Sequence, residues 1–205
     1  RMRLPILRAQ LRWMEAAVAV WRGEFDRARE HFRTALAVHQ QTELYVAGSG
    51  ALAIMAMASS QGVFDDFVDE VLGIDGAVRL RWSRDAVQAA PGNIVVSLLA
   101  AGVANVAGAA GDPALARGMV ETWRADPGPM IWTSLAQATI LAEVVVDLGF
   151  VDAAHEFIDY LEPFAGCIAT VGQVGCVGPV DLALTGLYRL VGDPARADEA
   201  LGRAR

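Results

Sequence analysis

The side chains from which this chain could assemble a reactive centre are few: His31, His39 and His155, Cys167 and Cys176, and the acidic run Asp65, Asp66, Asp69 and Glu70. A metal centre needs three or four such ligands converging, usually announced by short spacings. His31 and His39 stand eight residues apart on one predicted helix and His155 lies far along the chain, so no such set is legible. The acidic run suits the start of a helix, where carboxylates meet the positive end of the dipole, and it lacks the alternating spacing of a calcium loop. Phosphate chemistry is equally unsupported. All 17 basic residues are arginine, so the lysine of a phosphate-binding loop is missing, and the glycines at 166, 172, 175 and 178 follow no dinucleotide fingerprint. The serines and Cys176 have neither a nearby histidine nor a nucleophile-elbow motif. These residues predict a segment without catalytic residue, cofactor or metal.

The stronger signal is repetition. Gly-Asp-Pro-Ala occurs at Gly111–Ala114 and again at Gly192–Ala195, and the same frame can be laid on Gly23, Gly62, Gly111, Gly149 and Gly192. Five residues after each glycine stand Ala28, Phe67, Ala116, Ala154 and Ala197; nine after it stand Phe32, Val71, Val120, Ile158 and Leu201. Intervals of 39, 49, 38 and 43 residues are those of a recurring helical hairpin, which cannot bury its apolar face without a neighbour. Within each tetrapeptide the glycine can stop one helix in the left-handed conformation, the aspartate can cap the next, and the proline fits its first turn. Leu7, Leu11, Met14, Val18 and Trp21 recur at helical spacing and set the first helix; Phe25, Ala28, Phe32, Ala35 and Leu36 give the second its inner face.

The expected fold is therefore all-α, a right-handed α-solenoid of about five helical hairpins forming a single array over 1–205. Its approximate repeats are 4–40, 44–88, 92–125, 129–163 and 177–205, with 164–178 a glycine-rich connector. That connector carries Ile168, Val171, Val174 and Val177 and hardly any ionisable group, so it reads as an apolar link packed on the array. The alternative is that it closes a pocket for an apolar effector, making the chain a small-molecule sensor.

Charge narrows the partners. The net charge is −7, with eight arginines against four acids in residues 1–40 and six acids without a base in 41–75. An acidic surface repels nucleic acid, so no direct nucleic-acid contact is expected. Two cysteines do not staple a repeat array, which suits a reducing cytoplasm. The most apolar stretch, Ile94–Ala110, is interrupted by Ser97, Gly102, Asn105 and Gly108 and reads as a buried helix instead of a membrane span. The opening Arg1-Met2, with a helix already under way, suggests a piece of a longer protein, and the arginine-only basic set suggests a GC-rich genome.

The frame resembles the tetratricopeptide (TPR) pattern, which the first repeat follows with Ala16, Gly23, Phe25, Ala28, Phe32 and Ala35. More broadly, Trp21–Ala28, Leu161–Gly166, Gly175–Val180 and Leu187–Gly192 make the chain similar to the C-terminal helical-repeat region of large actinobacterial signalling proteins. Those proteins carry a LuxR-type DNA-binding domain or a nucleotide cyclase domain on a STAND-type ATPase. Phe67 in place of alanine, and Pro113, Val151 and Pro194 in place of the turn aromatic, depart from the pattern. The resemblance implies a non-catalytic protein-interaction and signal-sensing module whose partner is another protein or another domain of the same polypeptide. It also implies a concave face lined by the first helix of each hairpin, placing Trp13, Trp21, Asn105, Thr139, Glu143, Asp147 and Arg189 there as the candidate interaction residues. The Lys/Asn/Arg clamp that holds peptide carboxylates in chaperone-type TPR domains is missing.

Overall fold

The structure, a computed structural model, describes residues 5–42, 104, 112–128, 130, 133–171 and 175–205. Asn105, the acidic run at 65–70, the apolar stretch 94–110 (Ala104 excepted) and the second expected repeat lie outside the described residues. About three quarters of the described residues are helical. Seven α-helices and one two-stranded ribbon are described: α1 (Pro5–Trp21), α2 (Phe25–Thr42), α3 (Pro113–Ala125), α4 (Ser134–Asp147), α5 (Val151–Leu161), β1 (Ile168–Val171), β2 (Gly175–Pro179), α6 (Val180–Leu190) and α7 (Pro194–Arg203). No described helix is long and apolar enough to cross a membrane.

Three of the frame glycines build one and the same turn. Gly23, Gly149 and Gly192 have φ of 72°, 68° and 81°. At each, the glycine N–H donates three residues back and the next N–H donates five residues back: Gly23 to Val20 and Glu24 to Ala19, Gly149 to Val146 and Phe150 to Val145, Gly192 to Arg189 and Asp193 to Tyr188. This is the Schellman closure, which satisfies the orphan carbonyls of a helix end and needs a left-handed residue. It joins α1 to α2, α4 to α5 and α6 to α7 as three helical hairpins. The capping role read from the repeated tetrapeptide is seen in both copies: Asp112 accepts from Leu115 N–H and Asp193 from Arg196 N–H, each at 3.1 Å, with proline at the first helical positions.

Two compact units divide the chain, Arg1–Leu72 with Thr170–Val177, and Gly73–Ala169 with Gly178–Arg205. In the first, Trp13, Ala16, Ala19 and Val20 of α1 pack on Ala28, Phe32 and Ala35 of α2, with Cys176 in the same cluster. In the second, α4, α5 and α6 pack on one another and α7 packs on α6. The frame alanines Ala28, Ala116, Ala154 and Ala197 are all fully buried, as their position five residues past a turn requires where helices approach closely. A Cβ at Gly186 would come within 3.0 Å of a Val146 methyl, so α6 crosses α4 at the one spot where it carries no side chain.

The described residues of the connector, 166–171 and 175–178, carry strand structure where the sequence suggested an apolar link. Burial alternates along β1, with Ala169 and Val171 inside and Ile168 and Thr170 outside, and Val180 N–H extends the ladder to Cys167 C=O at 3.0 Å.

Candidate functional site

Helix α1 carries two apolar stripes. Ala9, Trp13, Ala16 and Val20 face inward, with the Trp13 ring 5.6 Å from that of Phe32 and tilted by 50°. Roughly opposite run Leu7, Leu11, Met14, Val18 and Trp21, each between 43% and 56% exposed. A helix apolar on two sides is built to be covered on two sides. Only one of these stripes is covered by α2.

Charged groups border the open stripe. Arg12 donates to Glu15 at 2.6 Å, and His31 Nδ1 of α2 lies 3.4 Å from both the Arg12 guanidinium and the Glu15 carboxylate. Arg27 pairs with Glu24 at 3.0 Å beside the turn. Between the two helices, next to the stripe, a cleft of about 250 Å3 is lined by Met14 and Val18 on its apolar side and by Glu15, Arg22, Glu24 and His31 on its polar side. The cleft thus joins an apolar floor to a mixed-charge rim. His31 is thus engaged by an ion pair, and among the described residues no three His, Cys, Asp or Glu side chains converge as metal ligands would.

The residues expected on a concave face have different fates. Trp13 is 2% exposed and belongs to the interior, whereas Trp21 is 56% exposed and stands at the end of the open stripe. Thr139 is buried, its hydroxyl donating to Leu135 C=O at 2.7 Å. Glu143 is half-buried; Asp147 and Arg189 are exposed. Partial burial pushes the Asp147 carboxyl above its ordinary range. Asn105 lies outside the described residues. Of this set, Trp21 alone joins the open stripe of α1.

One polar cluster escaped the sequence reading. Asp181, in the first turn of α6, is 1% exposed; its carboxylate accepts from Gly166 N–H at 2.6 Å and from Arg203 Nε of α7 at 2.8 Å. Gly166 has φ of 81°, so the entry to the ribbon is a left-handed turn tied to α6. An acid near a helix start is common, and nothing in its spacing from Gly166 or Arg203 announces the contact. All partners are spoken for, which makes Asp181 a structural lock.

Comparisons with family models, curated proteins and solved structures gave no match to this chain.

Proposed function

We propose that this segment is a non-catalytic docking module, a set of helical hairpins that engages a protein partner or another domain of a larger bacterial regulator. One observation carries the reading. Five large apolar side chains line a single exposed face of α1, bordered by charges, and soluble surfaces rarely leave so continuous a stripe open without a partner for it. The stacking of TPR-like hairpins into a solenoid, and membership of a LuxR-type or cyclase-bearing ATPase, are the setting suggested by the repeat frame and by the resemblance at Trp21–Ala28 and Leu187–Gly192. An apolar effector held by 166–178 has less surface to use, because Ala169, Val171, Cys176 and Val177 are already buried.

The test is photochemical. A photoreactive phenylalanine analogue at position 21, irradiated in cells expressing the intact gene, is expected to give a covalent adduct with a polypeptide. Adducts confined to small metabolites, or none at all, overturn docking. Purified residues 1–205 are expected to leave ATP intact, and turnover of ATP would overturn the non-catalytic part.

A further inference from the structure

The open stripe of α1 has the spacing of a coiled-coil seam. Leu7, Leu11, Met14, Val18 and Trp21 follow one another at intervals of four, three, four and three. Setting Leu11 and Val18 at a and Leu7, Met14 and Trp21 at d places Arg8 and Glu15 at e, with Arg22 in the next such place just past the helix end, and Gln10 and Ala17 at g. At 1.5 Å per residue the seam is about 21 Å long, which fits one helix of equal length laid along it.

We propose that this seam is occupied by the same seam of a second copy of the chain, crossing antiparallel with Leu11 opposite Met14 of the other copy. The inference rests on the docking reading above and names its partner. Charge complementarity selects the arrangement. In this register Leu7 faces Val18 and Leu11 faces Met14, each twice by symmetry, and Arg8 at e stands beside Glu15 at e of the other copy, giving two opposite-charge pairs about the two-fold axis. Sliding the antiparallel pair to set Met14 opposite Val18 brings Glu15 against Glu15 and Arg8 against Arg22, which repel. A parallel pair sets Glu15 beside Gln10 and Arg22 beside Ala17, with no charge attraction at either. Arg8 is exposed, and the Glu15 carboxylate, paired with Arg12 at 2.6 Å, keeps 36% of its side chain open to a second cation. A seam of this length falls in the small class of interfaces, below about 1,200 Å2 in total, so the pair is expected to dissociate on dilution.

Cysteine pairing decides both existence and orientation. In a Cys167→Ser background, which removes the exposed native thiol, one chain carries Leu7→Cys and another Val18→Cys. Under mild oxidation the mixture is expected to cross-link and each chain alone to remain largely uncross-linked. Self-cross-linking of Leu7→Cys would overturn the antiparallel arrangement. Sedimentation of the unmodified chain up to about 500 µM is expected to show a monomer–dimer equilibrium; a monomer throughout overturns the proposal. Arg8→Glu is expected to weaken association at least about tenfold, and adding Glu15→Arg to restore it. Absence of rescue in a double variant that melts like the parent overturns the register, and the cysteine pair still reads the seam if that variant folds poorly. A monomer whose photoreactive residue 21 captures a different polypeptide leaves docking standing and removes the second copy.

Discussion

Trp13 and Trp21 sit two turns apart on one helix and behave oppositely, which shows how far a residue's role depends on what covers it. The Trp13 ring, 2% exposed and packed on Phe32, is a core side chain. Its truncation to alanine is expected to cost about 3 to 5 kcal/mol through the lost transfer energy and the cavity left behind. Trp21→Ala, at 56% exposure, is expected to change stability by no more than about 0.5 kcal/mol. Urea denaturation of the two variants measures the contrast; reversed effects would mean that the two stripes of α1 have been exchanged, and equal effects that neither is the more covered. Asp181 makes a second case. Removing its carboxylate orphans Gly166 N–H and frees Arg203, so Asp181→Ala is expected to cost about 2 to 4 kcal/mol, and a midpoint within error of the parent would show that the lock bears no weight. The sequence made the helix legible and left its faces ambiguous: 9, 13, 16 and 20 and 7, 11, 14, 18 and 21 are both good apolar stripes, and periodicity alone cannot say which of them α2 covers.

At the scale of elements, the turns were the most legible part of the chain, because a Schellman closure is written locally by a glycine and needs no tertiary information. At Gly149, φ is 68° and open space surrounds the position a Cβ would take, so Gly149→Ala carries only the conformational term, about 1 kcal/mol, measurable by thermal melting. The ribbon was less legible. Four residues of alternation from Ile168 to Val171 are too few to outweigh the surrounding glycines as a strand signal. The contact between α3 and α5 shows what charge adds. Arg124 bonds Glu156 and also reaches Glu121 and Asp152, and the Arg124 hydrogen bond holds the Glu156 carboxyl below its ordinary range. A carboxyl whose folded value is depressed contributes stability that is present above its unfolded value and is lost as pH falls through the folded one. The pair is exposed, so salt screens it. Glu156→Gln is therefore expected to melt slightly below the parent at neutral pH and low salt, and the difference to vanish well below about pH 4 or in about 1 M salt; a difference that persists in acid would assign it to packing.

Across the molecule, the frame alanines Ala28, Ala116, Ala154 and Ala197 are all fully buried, so the place that the frame marks five residues past its glycine is one of close packing. A frame counted along the chain carries no record of which hairpins touch, and the division into two compact units is a finding of the structure. In the C-terminal unit, α6 lies against both α4 and α5, with Gly186 at the crossing with Val146, and α7 contacts the rest chiefly through α6. Helix α6 is thus the keystone of that unit: Val180, Ala183, Leu184, Leu187 and Tyr188 are all buried along it. Removing residues 180–205 would uncover the α4 and α5 surfaces they cover, and a hairpin cannot bury its apolar face alone. The shortened chain is expected to bind a hydrophobic dye, to melt well below the parent and to aggregate. A shortened chain that stayed monomeric with an unchanged melting temperature would show that α4 and α5 are stable without α6, contrary to the packing seen here.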